Sequence, residues 1–303
     1  MPFTQLTDFN THYHQQGNGS IPVIFIHGNF GSWRHWTPSL ENLPTDFIAY
    51  APDLRGCGDS EAPSDGYDIQ TLSEDILNLA NNLKLDKFHL VGHSLGGAVA
   101  QELAGTSPER ILSLTLVSPS PAEGLLSLKN ISTANSAFSA TNIFQFFDNI
   151  GLRRKIHSLS FKKTMPGLRK NKNYLDMIIT DAIKMDMKAF DGFLKTLKTW
   201  NGVKHLSHFN FPVLIMRGDL DSVIPLQPLK NMCQHIKNCR FHTFKRIGHS
   251  PQLESAHDFN RLLFAFIQGN DIIVEPSTTS PSKKSGLLKS LVIKLKSIFR
   301  KFS

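Results

Sequence analysis

Short apolar runs alternate with helical patterns over the first 120 residues. Positions 21–27 (IPVIFIH), 47–51 (FIAYA), 87–92 (KFHLVG), 111–118 (ILSLTLVS) and, further on, 212–216 (PVLIM) are such runs; 239–244 is a weaker one. Bounded by Gly, Pro and Asp, they predict strands buried on both faces of a parallel sheet. Between them Leu72, Ile76, Leu79 and Leu83 recur at helical spacing, and Thr71 followed by Glu74 predicts a capping box at the start of that helix. A second helix is predicted from Gly97 to Thr106, directly after a strand. Strand and helix in alternation predict an α/β fold around a mostly parallel central sheet.

The alternation stops after Pro119 and resumes at Phe211. The intervening chain predicts helices over 134–150, 174–185 and 190–200. An insertion into a strand series reads as a helical cap, 121–206, on a core made of 1–120 and 207–270. Beyond Asn270 the composition shifts to PSTTSPSKKS, a linker. In the last segment Leu288, Leu291, Val292, Leu295, Ile298, Phe299 and Phe302 fall on one side of a helix, and Lys289, Lys296, Arg300 and Lys301 on the other. Residues 271–303 are therefore expected to form a linker and a basic amphipathic tail. Its composition fits peripheral contact of 283–303 with an anionic membrane surface; docking on the body, a protein partner and disorder are the rival readings.

Composition narrows the class. With 303 residues, 40% hydrophobic and 19% charged, the chain can bury a sizeable core. No apolar run approaches the ~20 residues of a membrane-spanning helix, and the N-terminus does not read as a secretory leader. Cys57, Cys233 and Cys239 are odd in number and lack metal-ligand spacing, so they read as free thiols in a reducing, cytoplasmic compartment. The net charge of +8 is unevenly placed. Residues 276–303 hold seven Lys/Arg and no acid, 121–206 hold 14 Lys/Arg against 6 Asp/Glu, and the remainder holds 12 against 19. An acidic body with two basic additions, and no recognised module, argues against a nucleic-acid partner. The basic patch of 153–172 is either a solvated surface or a site for something anionic.

The strongest chemical signal is Gly92-His93-Ser94-Leu95-Gly96-Gly97, which falls between a predicted strand and a predicted helix. A sharp strand-to-helix turn strains the serine backbone, tolerates only small neighbours and projects the hydroxyl from the sheet edge. A serine needs a base, and the base an orienting carboxylate. Gly218-Asp219-Leu220-Asp221 follows one strand and Gly248-His249 follows the last, both in loops where open α/β sheets place their sites.

These motifs, with His27-Gly28-Asn29-Phe30 and Asp53-Leu54-Arg55-Gly56-Cys57-Gly58-Asp59-Ser60, resemble those of the α/β-hydrolase superfamily, in its capped serine-hydrolase (esterase/lipase-like) branch. The resemblance covers roughly 3–270 and five stretches in the family's order. It implies Ser94 as nucleophile, Asp221 as acid and His249 as base, with the backbone N–H groups of Leu95 and Phe30 as oxyanion hole. Asp219 and Glu123 are the rival acids, His242 and His257 the nearest rival bases, and Asn29 the rival donor. His93 reads as a packing residue, 53–60 as scaffold and Cys57 as a small filler. Phe30 stands where epoxide hydrolases and dehalogenases carry proline, and they use an aspartate nucleophile; both facts argue against them.

The resemblance implies hydrolysis of a small-molecule carboxylic ester or other acyl substrate, lipid-derived or thioester included, with no metal or organic cofactor. A C–C bond hydrolase, lactonase, perhydrolase or acyltransferase would use the same residues. A catalytically silent membrane-surface binding protein is the reading from another class.

Overall fold

The computed structural model describes residues 2–125, 151–270 and 272. The helix expected over 134–150 and the tail from 273 onward lie outside the described residues.

Eight strands form one sheet: β1 (Phe3–Gln5), β2 (Asn10–Gly17), β3 (Ile21–Ile26), β4 (Phe47–Pro52), β5 (Phe88–His93), β6 (Ile111–Val117), β7 (Val213–Gly218) and β8 (Cys239–Phe244). Their order is β1-β2-β4-β3-β5-β6-β7-β8. β1–β2 and β2–β4 run antiparallel and every other pairing is parallel. The helices are α1 (Thr37–Leu40), α2 (Ile69–Asn82), α3 (Leu95–Thr106), α4 (Arg153–Thr164), α5 (Lys172–Lys184), α6 (Met187–Thr199), α7 (Leu226–Gln234), α8 (Pro251–Glu254) and α9 (Ala256–Ile267). Period-two alternation sorts the central strands onto two cores. Ile24, Ile26, Leu90, Leu114 and Ile215 pack with α2, α3 and α7 on one face. Val23, Phe25, Val91, Val117 and Met216 pack with Trp36, Leu40 and α9 on the other. The result is a three-layer α/β/α body, and α4–α6 are inserted between β6 and β7.

Several expectations need correction. β1 and β2 were not anticipated: β2 reads NTHYHQQG and buries Thr11, His12 and Tyr13 while leaving Gln15 and Gln16 exposed, so it lacks an apolar run. The start of α2 is not a Thr71–Glu74 box. Asp68 is the N-cap, its carboxylate accepting from Thr71 N–H (2.9 Å) and Thr71 Oγ (2.8 Å), because the helix begins one turn earlier. α4 was not anticipated either. Cys233 and Cys239 are not free thiols: the last turn of α7 and the first residue of β8 bring their Cα atoms to 5.5 Å, and they form a disulfide. Cys57 is free and buried, and burial holds its thiol pKa well up.

The 53–60 turn locks the sheet edge to the body. Asp53 accepts from Trp33 N–H (2.7 Å) and Asp59 N–H (3.0 Å) and meets His12 Nδ1 at 2.7 Å. Arg55 is 1% exposed and reaches both oxygens of Asp75 (2.7 and 2.6 Å) and of Asp8 (3.0 and 3.1 Å). Burial raises the Asp75 pKa to about 6, against the pull of the guanidinium. Arg55→Met should therefore destabilise the fold by about 3 kcal/mol at pH 7, as expected when one partner of a buried pair is removed. Urea unfolding should show a smaller loss at pH 5, where the orphaned carboxyl takes up a proton.

Candidate active site

Ser94 sits between β5 and α3 with φ 54° and ψ −114°, a left-handed backbone unusual for a residue with a side chain. Its N–H donates to Val117 O (3.0 Å), and its carbonyl accepts from Gly97 and Ser120 N–H (3.0 Å each). These bonds over-determine the strained turn. The neighbours have no room for a Cβ: at Gly92 it would strike Gly96 O, at Gly96 the carbonyls of Ile26 and His27, and at Gly97 Pro119. The small residues therefore admit a tight strand-to-helix elbow with the half-buried Ser94 at its turn.

The structure brings three side chains distant in sequence together. His249 Nε2 lies 3.1 Å from Ser94 Oγ, and His249 Nδ1 lies 3.0 Å from Asp221 Oδ2. Asp221 Oδ1 accepts from Val223 and Ile224 N–H (2.8 and 3.1 Å). Burial alone would raise the Asp221 pKa; the facing imidazole and these donors outweigh it and hold the carboxyl down at about 2. An ionised Asp221 fixes His249 with Nδ1 protonated and Nε2 open toward the serine. Asp219 points to solvent, its N–H bonded to Phe244 O. Glu123 is half-buried, and its carboxylate makes no hydrogen bond to His249. His242 lies within β8, and His257 is exposed on α9.

The 27–30 loop passes directly over the elbow. A Cβ on Gly28 would come within 2.9 Å of both Ser94 Cβ and His93 Nδ1. His27 pins the loop: Nδ1–H donates to Gly28 O (2.8 Å), and Nε2 accepts from Leu54 N–H (3.0 Å). Leu95 opens α3. Phe30 takes φ 60°, and its N–H donates to Asn29 Oδ1 at 3.0 Å. Its ring meets His157 of α4 and Phe190 of α6, each with ring centroids 5.0 Å apart, so this residue also wedges the body against the inserted helices.

Two further residues support His249: His93, read from the sequence as a packing residue, and Glu254, which sequence reasoning missed. His93 Nε2–H donates to His249 O (3.0 Å), and its buried ring stays neutral because burial and the neighbouring His249 and His35 push its pKa far down. Glu254 in α8 accepts from Gly248 N–H (3.1 Å) and Ser250 N–H (3.0 Å), on either side of His249, and from Gly167 N–H (2.9 Å). His249 N–H itself donates to Thr164 O (2.9 Å) at the end of α4. The inserted helices are thus hydrogen-bonded to the histidine loop. The only trace in the sequence is a carboxylate five residues after a G-H pair.

One group of metal-ligand type occurs among the described residues: His12, Asp53 and Asp59. Asp53 is already supplied with three donors, and Asp59 lies 2.6 Å from Lys184 Nζ, so these residues read as structural.

A family model described as alpha/beta hydrolase fold matches residues 21–256. The chain belongs to the α/β-hydrolase family. It is 26% identical over 278 residues to 2-hydroxy-6-oxononadienedioate/2-hydroxy-6-oxononatrienedioate hydrolase 1 of Pseudomonas putida, covering 86% of this chain and 92% of that one. It is 26% identical over 263 residues, 83% of this chain, to the dihydrolipoyllysine-residue acetyltransferase component of the acetoin cleaving system of Pseudomonas putida, and spans 65% of that relative's length. Among solved structures, a thermophilic esterase from Thermogutta terrifontis superposes with a TM-score of 0.77 at 19% identity, over 89% of this chain and 99% of that one. No helix of this α/β-hydrolase among the described residues is long and apolar enough to cross a membrane.

Proposed function

We propose that this chain is a serine hydrolase that cleaves a carboxylic ester through an acyl-enzyme on Ser94. One observation carries the reading: a serine held at positive φ has its Oγ 3.1 Å from an imidazole whose other nitrogen rests on a buried carboxylate. His249 Nε2 takes the Ser94 proton as Oγ attacks the carbonyl carbon. The carbonyl oxygen becomes an oxyanion, received by the N–H groups of Leu95 and Phe30. For Phe30 this requires the oxyanion to displace Asn29 Oδ1. The tetrahedral adduct collapses, and the imidazolium gives its proton to the departing alkoxide. Water, deprotonated by the same imidazole, then cleaves the acyl-enzyme and restores Ser94. Asp221 keeps the imidazole oriented and stabilises its charged form. The inserted helices act as a cap, with Phe30, His157 and Phe190 at its junction with the body.

A fluorophosphonate probe tests the reading. One label per chain, on Ser94, is expected, and no label on a Ser94→Ala chain; an unlabelled wild-type chain would refute it and favour a silent fold. A second reading, C–C bond cleavage on the same residues, draws support from the relative named as a 2-hydroxy-6-oxononadienedioate hydrolase. Turnover of that compound at a kcat/KM above that for any short ester would select it.

The histidine supports give a further prediction. Glu254→Ala removes the acceptor for Gly248 and Ser250 N–H. With the His249 loop released, kcat for p-nitrophenyl butyrate should fall roughly 100-fold while KM stays within about twofold, the pattern of a misplaced base rather than lost binding. An equal fall in Ser94 labelling rate is the confirming measurement.

A further inference from the structure

Helix α4 is inverted relative to an ordinary surface helix. Its inward side needs only His157 and Phe161, which are buried. Its outward side carries Lys155, Leu159, Lys162 and Lys163, all exposed, with Ile156 half-buried beside them. Leu159 is 61% exposed, and Leu152, one residue before the helix, 38%. At 100° per residue, 152, 155, 156, 159, 162 and 163 share one face, an apolar centre rimmed by ammonium groups. From Gly151 to Lys172 the chain holds eight Lys/Arg and no acid. Arg154 pairs with Asp176 at 3.1 Å, whereas Lys155, Lys162, Lys163, Lys170 and Lys172 have no ion pair among the described residues.

We propose that this outward face of α4 is a docking surface for an anionic lipid bilayer. Three apolar side chains fall far short of the roughly 800 Å² per partner of a stable protein interface. A symmetric dimer through α4 would set the same positive face against itself and be repelled. So would the chain's own 276–303, with seven basic residues and no acid. A bilayer meets both features at once: Leu152, Ile156 and Leu159 enter the boundary between headgroups and acyl chains, and the lysines lie at the level of anionic headgroups. Thr164 at the end of α4 accepts from His249 N–H, so the docked helix is tied to the histidine loop. The inference does not depend on the proposed chemistry.

The test uses the full chain and sedimentation with vesicles of phosphatidylcholine, alone or with about 30% phosphatidylserine, at a salt concentration of about 0.1 M. Wild type is expected on the anionic vesicles only. Lys155→Gln/Lys162→Gln/Lys163→Gln should lower its partition coefficient on the order of 100-fold, from three charges near an anionic leaflet. Lys87→Gln/Lys204→Gln/Lys237→Gln, an equal charge change at exposed positions away from α4, should leave it unchanged. Leu159→Ser should weaken vesicle binding several-fold and leave retention on heparin unaltered. An unchanged urea midpoint for each variant shows that the fold is kept. Vesicle binding by the α4 lysine variant equal to wild type, an equal drop in the distant triple variant, or no effect of Leu159→Ser would each overturn the assignment; the last outcome would mark the face as a site for soluble polyanions.

Discussion

Ser94→Ala is expected to lower kcat/KM for short p-nitrophenyl esters by at least about 1,000-fold and leave the urea midpoint nearly unchanged. Removing the hydroxyl eliminates the acyl-enzyme route, and what remains is the smaller rate gained from binding and oxyanion donors alone. The fold should tolerate the change. The positive φ of Ser94 is imposed by the backbone bonds to Val117, Gly97 and Ser120, none of which uses Oγ. His249→Ala should cost a similar factor, and the double variant hardly more than either single one, because the two groups act as a unit. Stopped assays with product quantified by mass, not only by absorbance, guard against background hydrolysis of the ester. Full turnover by the Ser94→Ala chain would remove the basis of the proposed mechanism.

The elbow was legible because its demands fall on neighbouring positions. Gly92 is dictated by Gly96 O within the unit, and Gly96 and Gly97 by the end of β3 and by Pro119 after β6, yet all three glycines fall in one window of six residues, which carries the mark of the turn. The choice of Asp221 over Asp219 rested on resemblance; in the structure burial separates the two, with Asp221 nearly covered and Asp219 in solvent. The parallel strands were legible because both of their faces are buried and the apolar run is continuous. β2 was not, since its buried positions are Thr11, His12 and Tyr13, made acceptable by partners such as Asp53 that lie 41 or 42 residues away. Helix α4 buries two side chains and so has no apolar stripe to read. Glu254 was illegible for a different reason: it acts on three backbone N–H groups, which leave no mark in the sequence of their residues.

Stability should fall steeply on acidification below pH 6.5, and the cause is buried imidazole rather than carboxylate. Burial lowers the pKa of His89 and His157 to about 4 and that of His35 to about 3. Neither ring nitrogen of His35 has a hydrogen-bond partner among the described residues. In each case the unfolded chain, with imidazole pKa near 6.5, binds the proton first. The stability these groups contribute is therefore present above about pH 6.5 and is lost as pH falls toward the folded-state values. Each such proton is worth up to about 1.4 kcal/mol per pH unit; with His93 as a fourth imidazole and Asp75, whose raised pKa acts in the opposite sense, offsetting one, the net slope is roughly 4 kcal/mol per unit. Against a typical stability of about 5–15 kcal/mol, unfolding is expected between about pH 6 and pH 4. Asp221 works in a lower window: its depressed pKa adds stability above the ordinary aspartate range that is lost only between about pH 4 and pH 2, after the imidazoles have charged. Urea unfolding measured at half-unit steps from pH 7.5 to 4.5 gives the slope. His89→Gln keeps a polar group beside Ser113 Oγ, which lies 2.7 Å from His89 Nδ1, yet removes one titrating site. Whatever its stability at pH 7.5, its slope should be shallower by about one third. A wild-type stability that stayed flat down to pH 5 would mean that these rings are charged, or solvated, in the folded protein.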